Sequence, residues 1–328
     1  MSLRLAIYGF GEIGRTLARV ALERGHEIVG AIDVNPDLIG KDVGELLGSG
    51  KLGVRVTDNP GEGLKDCELV LHATSSYVPR IYDQLVTAIK LGKSVVSTCE
   101  TLSYPYYRYP VLARRIDELA KSYGVTVIGT GINPGFLLDT LAATISASLP
   151  LVKRITARRS LDAAKRRIAF RKKIGVGLDP DEFSKGLSSG RYTGHVGYAE
   201  SVYLIAEAAG LTLTKVEEGQ EGVVAEEKIS SEGVTVEKGK IKGIKGFGIG
   251  YVNGVEKIRV EFYAMIGAPE YEEIIVEGTD HTITWKSNGT PGDLGTASII
   301  VSVAEKVETM PYGLMTMADL LPFRIGLR

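Results

Sequence analysis

Cysteine is scarce in this 328-residue chain: there are only 2, Cys67 and Cys99. Two are too few for a disulfide scaffold or a four-thiolate zinc site. Histidine is scarce as well, with 4 in all: His26, His72, His195 and His281. None forms an H-x-x-x-H or C-x-x-C pattern, so no metal is expected. Neither sign of charge is in excess, with 39 Lys and Arg against 40 Asp and Glu and a net charge of −1. That balance argues against a nucleic-acid partner, which usually brings a basic surplus. No apolar run reaches the ~18 residues of a membrane span. The start, MSLRLAIYGFGEIG, lacks the basic region, long apolar core and cleavage site of a secretion signal. The expectation is a cytoplasmic protein with no membrane contact. What the chain does have is apolar residues (44%) and a moderate 24% of charged ones. That composition suits a globular protein with a sizeable core.

The length fits two domains. The first half alternates short apolar runs with helical patterns. Leu5 to Tyr8, Glu27 to Ile32, Glu68 to Ala73, Ser94 to Ser97 and Val125 to Ile128 read as strands. Helices are predicted after the first run, over Val78 to Leu91, Val111 to Tyr123 and Phe136 to Ala147. Continuous apolar strands between helices predict a doubly wound parallel sheet covered on both faces. After Pro150 the period changes to two, as in Ile258, Val260 and Phe262. Half-buried, mainly antiparallel strands are expected there. Helices over Pro180 to Leu187 and Val196 to Ala209 interrupt them. The fold expectation is therefore α/β, with a Rossmann-type sheet over residues 1–150 and a second α+β domain over 151–292. A last helix within 293–310 is expected to pack back on the first domain. The glycine-rich Lys238 to Gly250 reads as strand–turn–strand.

Gly9-Phe10-Gly11-Glu12-Ile13-Gly14 is G-x-G-x-x-G between the first strand and the first helix. Gly9 permits the tight turn, Gly11 lets a pyrophosphate approach the backbone, and Gly14 lets the helix pack on the strand. The helix N-terminus then offers free N–H groups to phosphates. Asp33 follows about 20 residues on, at the end of the second strand, where a carboxylate can hold the ribose diol. NAD or NADP is the expected cofactor. Asp33 favours NAD, because a 2′-phosphate would meet a like charge. Arg15 and Lys41 leave dual use open.

Ligands of such sheets lie beyond the carboxyl ends of the strands. Three of those ends are polar: His72-Ala73-Thr74-Ser75-Ser76, Ser97-Thr98-Cys99-Glu100-Thr101 and Gly129-Thr130-Gly131-Ile132-Asn133-Pro134-Gly135. The first two are expected to line the nicotinamide end of the cofactor, and Asn133 to bond cofactor or substrate. Turn chemistry explains each serine or threonine equally well. Glu100 is harder to explain as a solvent-facing charge and is the candidate acid–base group. Cys99 is read as a nucleophile or, more simply, as a small buried residue. Tyr104, Pro134 and Phe136 are expected at the substrate pocket. The basic stretch Lys165-Arg166-Arg167 and Arg171-Lys172-Lys173 reads as a solvated face or as a carboxylate contact.

With these residues in view, the chain resembles the 2,4-diaminopentanoate dehydrogenase and native amine dehydrogenase family of the dihydrodipicolinate reductase-like superfamily. The resemblance rests on Gly9 to Gly14, Lys41 to Glu45, Thr98 to Glu100 and Gly131 to Phe136. It continues through Lys172 to Gly175, Gly194 to Ser201 and Gly292 to Ala297, so it runs in order along nearly the whole chain. It implies NAD(P)-dependent oxidative deamination of an amine or diamino acid, with reductive amination by ammonia in reverse. It also implies a homodimer without metal, Glu100 handling the reacting amine, and His195 in the pocket. Dihydrodipicolinate reductases carry a paired-histidine motif that this chain lacks. An imine or carbonyl reductase and a non-catalytic nucleotide sensor are the competing readings.

Overall fold

The computed structural model describes residues 2–328. The chain divides into two compact units, one holding everything up to Phe136 together with Asp293–Asp319. The other holds Leu137–Gly292 and Leu320–Arg328.

The first unit opens with β1 (Arg4–Tyr8), α1 (Glu12–Glu23), β2 (Glu27–Ile32), α2 (Val43–Leu47), β3 (Val56–Thr57) and α3 (Pro60–Gly63). It continues with β4 (Leu69–His72), α4 (Val78–Lys90), β5 (Ser94–Ser97), α5 (Pro105–Arg108), α6 (Pro110–Tyr123) and β6 (Thr126–Gly129). The strands are short apolar runs with almost every residue buried, as a sheet covered on both faces requires. Their helices show one apolar stripe each; α4 buries Val78, Ile81, Leu85, Ala88 and Ile89. Gly124 ends α6 in the left-handed conformation.

The second unit contains α7 (Thr140–Ser146), β7 (Val152–Asp162), α8 (Ile168–Lys173), α9 (Pro180–Ser188) and α10 (Tyr198–Ala209). Seven strands follow: β8 (Lys215–Val224), β9 (Ile229–Ser231), β10 (Val234–Val236), β11 (Ile241–Val252), β12 (Val255–Met265), β13 (Tyr271–Gly278) and β14 (Thr282–Ser287). The chain then gives α11 (Gly292–Ala304) and β15 (Gly313–Met315), and β15 joins the first sheet beside β6.

The first sheet is parallel throughout, in the order β15-β6-β5-β4-β1-β2-β3. The direction of winding reverses between β1 and β4. That switch point leaves a crevice at the carboxyl ends of the strands.

The second sheet runs β14-β13-β7-β12-β11-β8. It is antiparallel except for the β7–β12 pair, so the expectation of mainly antiparallel strands describes it well. One face packs against α10. The other carries ion pairs in rows, such as Arg158 with Glu261 (2.5 Å) and Glu273 (3.0 Å). On the α10 side, Arg159 and Glu272 form a buried pair at 3.1 Å, and Arg159 also donates to the Thr290 carbonyl (2.7 Å).

Two expectations differ from this structure. The passage into the second unit falls at Leu137 rather than after residue 150, because α7 packs on β7, β13 and α10. That helix also starts at Thr140 instead of Phe136, where the buried Asp139 carboxylate accepts the Thr140 N–H (2.6 Å). The second concerns Lys238 to Gly250, which is a turn followed by one long strand. Its glycines let α10 approach: a Cβ on Gly246 would meet the Tyr198 hydroxyl at 2.1 Å, and one on Gly250 would meet Val202 at 2.7 Å. Among the described residues, no helix is long and apolar enough to cross a membrane.

Candidate active site

The glycine turn sits at the switch point, between β1 and α1. Gly9 has φ +94°, and a Cβ there would meet the Ala73 carbonyl at 2.5 Å. A Cβ on Gly14 would meet the Gly9 carbonyl at 1.9 Å. Gly11 is different: a Cβ there meets nothing within 4 Å. Two of the glycines are therefore demanded by the protein's own backbone. The third is demanded by nothing in the chain and faces open space at a helix N-terminus. That is the cradle a pyrophosphate needs.

Asp33, at the end of β2, accepts the Phe10 N–H (2.7 Å) on one oxygen and the Asn35 N–H (2.8 Å) on the other. Each carboxylate oxygen keeps a further lone pair for a ribose hydroxyl. The Phe10 ring is fully buried, so its backbone alone belongs to the turn. Glu12 is exposed and Ile13 half-buried at the start of α1. The residues present thus fit a dinucleotide.

The carboxyl ends of β4, β5 and β6 carry the other candidates of the first unit. Thr74 directs its hydroxyl to Gln84 Oε1 (2.6 Å), while its methyl faces Gly9. Ala73 and Ser75 are half-buried beside it. Cys99 is fully buried, and burial together with the Glu100 charge pushes its thiol up to about 12. A thiol so firmly protonated is no nucleophile, so the small-buried-residue reading is the one the structure supports.

Glu100 follows, half-buried, and opens a short 3-10 turn over Glu100–Leu102. Its neighbours are pinned on both sides. The Cys99 N–H donates to Ser97 Oγ (3.1 Å), and the Thr101 N–H donates to the Ser76 carbonyl (3.1 Å). Thr101 Oγ1 also accepts the Val78 N–H (2.9 Å). The Glu100 charge reaches the Tyr77 hydroxyl, which burial first and this charge second hold above its ordinary value. Tyr104 is half-buried, edge-on to Tyr106 at 5.8 Å. Pro134 is buried, while Asn133 and Phe136 are half-buried. The turn around Asn133 is tied to α11, where Thr296 Oγ1 accepts the Ile132 N–H (3.4 Å).

His195 belongs to the second unit, just before α10. Its ring lies on Phe262 (4.4 Å) and edge-on to Tyr198 (4.9 Å). The His195 backbone N–H donates to Gln220 Oε1 (2.9 Å). Burial, then Lys173, Arg159 and Arg166, push the imidazole down to about 3. It is therefore neutral at ordinary pH and has no proton to give as an imidazolium. Among the described residues, no group of His, Cys, Asp or Glu is placed to hold a metal ion.

A parallel sheet with a glycine cradle at its switch point, joined to a second mixed sheet, defines a two-domain dinucleotide-binding dehydrogenase fold. The model of the dihydrodipicolinate reductase N-terminus matches residues 3–101. That of the 2,4-diaminopentanoate dehydrogenase C-terminal domain matches residues 136–325, more than half of the chain. The chain belongs to the 2,4-diaminopentanoate dehydrogenase family. It is 29% identical to the 2,4-diaminopentanoate dehydrogenase of Acetoanaerobium sticklandii, over 97% of this chain and 93% of that one. A 4-hydroxy-tetrahydrodipicolinate reductase of Acinetobacter baumannii is 30% identical over 49% of this chain and 58% of its own. The fold matches the solved amine dehydrogenase of Mycobacterium smegmatis with a TM-score of 0.87, 24% identity, and 99% and 97% of the two chains covered.

Proposed function

We propose that this protein is an NAD(P)-dependent amine dehydrogenase that oxidatively deaminates an amine or diamino acid and runs as a reductive aminase with ammonia. The observation that carries this reading is Glu100, a half-buried carboxylate between two pinned neighbours at the end of β5, in the sheet that holds the glycine cradle. Gly11 and the first N–H groups of α1 would hold the pyrophosphate, and Asp33 would take the ribose diol. A dinucleotide held there would supply the acceptor for a hydride from the carbon that bears nitrogen.

That carbon releases hydride only if its nitrogen has a free electron pair, so an alkylammonium must first lose a proton. Glu100 takes that proton and passes it to solvent, and the carboxylate so restored then stands as counter-charge to the substrate iminium. It next takes a proton from the water that adds to the iminium carbon. It returns that proton to the amino nitrogen, the C–N bond breaks, and the hydroxyl proton leaves with the ammonia as ammonium, so that a carbonyl product remains. His195, held neutral, serves as a hydrogen-bonding group and not as an acid. Thr98 and Asn133 are assigned to the cofactor, and Tyr104, Pro134 and Phe136 to the substrate.

Asp33 favours NAD, with Arg15 and Lys41 leaving NADP usable. A homodimer working in the cytoplasm without metal completes the reading, in line with the family resemblance. The test is a screen of amines and diamino acids with NAD and NADP, followed by nicotinamide absorbance. Glu100→Gln should lower turnover by about 10²–10⁴-fold, the range of general-base catalysis, with NADH affinity unchanged. A carbonyl reduction that needs no ammonia would favour the imine or carbonyl reductase instead. NADH binding without turnover of any amine would favour a sensor.

A further inference from the structure

The carboxyl edge of the first sheet holds a buried polar network for which the reading above has no use. Its centre is His72, the last residue of β4, which is 1% exposed. It pairs in register with Tyr8 of β1 and Ser97 of β5, so three strand ends meet at one imidazole. The Tyr8 ring lies edge-on to it at 5.4 Å. Its Nδ1 is 2.9 Å from Ser97 Oγ, and its Nε2 is 2.8 Å from Gln84 Oε1 on α4.

The chemistry of the partners orders the protons. Gln84 Oε1 only accepts, and it faces both His72 Nε2 and Thr74 Oγ1. Both therefore donate to it, and the imidazole proton sits on Nε2. Nδ1 is then bare and accepts the Ser97 hydroxyl. The Ser97 oxygen, having donated, accepts the Cys99 N–H at 3.1 Å. The Nε2 proton also reaches Thr74 Oγ1 at 3.0 Å, so Gln84 and Thr74 share it. Burial pushes His72 down to about 4, so the neutral ring this order needs is the form present.

An apolar side chain would fill the same space without the cost of burying an imidazole. What the polar network adds is direction, along two limbs. The Ser97 limb ends on the N–H of the residue before Glu100. The Gln84 limb ends on the Thr74 hydroxyl and so turns the Thr74 methyl toward Gly9, where a Cβ on that glycine would meet it at 2.9 Å. We infer that His72 is a positioning residue that sets Glu100 through Ser97 and seats the glycine turn through Gln84 and Thr74. The inference rests on the reading of Glu100 as the base.

The two limbs should separate in single variants. Ser97→Ala should lower kcat by about 10–100-fold, the effect of sub-ångström misplacement of a reacting group, with the NADH Kd unchanged. Gln84→Met should raise the NADH Kd, measured by fluorescence titration, by about fivefold, the worth of one neutral hydrogen bond, with kcat unchanged. His72→Phe keeps the ring against Tyr8 and should show both defects. His72→Asn places an amide oxygen where Nδ1 stood, so it should recover kcat to within about threefold while the Kd stays raised. If His72→Phe fails to fold, Ser97→Ala and Gln84→Met still decide. Unchanged kcat in Ser97→Ala, or kcat and Kd moving together in both limbs, would overturn the positioning role while an active wild type upholds the function. A wild type that binds NADH yet deaminates no amine would overturn both.

Discussion

The last two glycines of the turn should respond to the same substitution in opposite ways. A Cβ at Gly14 would lie 1.9 Å from the Gly9 carbonyl oxygen and 2.9 Å from its carbon. Those are backbone atoms of the tight turn itself and have no rotamer in which to move aside. Overpacking of this kind costs about 1–3 kcal/mol. Alanine returns at most about 1 kcal/mol of helix propensity against that. Gly14→Ala should therefore lower the Tm by several degrees, at about 2–4 °C per kcal/mol for a domain of this size. Gly11 has φ −70°, which alanine adopts freely, and open space where the Cβ would go. Gly11→Ala should lose only a few tenths of a kcal/mol as a poorer helix cap. Its Cβ, however, occupies the approach to the backbone that a pyrophosphate uses. NADH affinity should fall by about tenfold or more, equivalent to 1.4 kcal/mol. Differential scanning fluorimetry and NADH titration on the same preparations read both effects. A Gly11→Ala protein with wild-type NADH affinity would refute the cradle.

Other substitutions test neighbouring steps. Asp33→Asn keeps an acceptor for the Phe10 N–H but removes the charge, so the NADP-to-NAD preference should rise by about tenfold; an unchanged ratio in paired titrations would remove Asp33 from the ribose site. His72 and His195 titrate near 4 and 3 in the folded chain, against about 6.5 unfolded. Between those values only the unfolded chain binds the proton, so stability is full above about pH 6.5 and falls as pH drops below it. Urea unfolding at pH 5.5 should show each histidine costing about 1.4 kcal/mol relative to pH 7.5. His72→Phe should remove one such share, and an identical pH slope in that variant would contradict the burial. Arg159→Met leaves Glu272 buried without its ion pair and should cost about 3–5 kcal/mol. Lys286→Met, which breaks a surface pair with Glu273, should cost under about 1 kcal/mol by the same denaturation.

The parallel sheet was legible because its signals are local. Each strand is an apolar run, and each helix carries its stripe and stop within a dozen residues. The domain boundary was not, because α7 has the same local pattern as a helix of the first sheet. Only its partners β7, β13 and α10, distant in sequence, assign it to the second unit. The glycines of β11 misled for a related reason. Read locally, glycine breaks a strand. Here Gly246, Gly248 and Gly250 fall on one face, at a period of two, and the helix above them is what they serve. The spacing held the clue, but the helix that needs it begins some fifty residues earlier. β15 is too short, at three residues, to leave any pattern.

The candidate site divides along the same line. Gly9, Gly11, Gly14 and Asp33 could be placed from spacing, since their roles follow from one turn and one strand end. Glu100 could be singled out because it breaks polar after an apolar strand. Its support could not be placed. His72 and Ser97 are 25 residues apart, and nothing local ties one to the other. The register does: if LVLH and SVVS pair as neighbouring parallel strands, their last residues lie side by side, and a histidine there faces a serine. A polar residue ending each of two adjacent apolar strands is thus a signal that can be read once strand order is known. The His195 charge state has no such signal. It depends on Lys173, Arg159 and Arg166, which β7 and α8 with its leading turn bring to one ring. The family resemblance puts His195 in the pocket without fixing its charge, whereas burial and three cations keep the ring neutral, which is why the proposed mechanism assigns the acid–base work to Glu100.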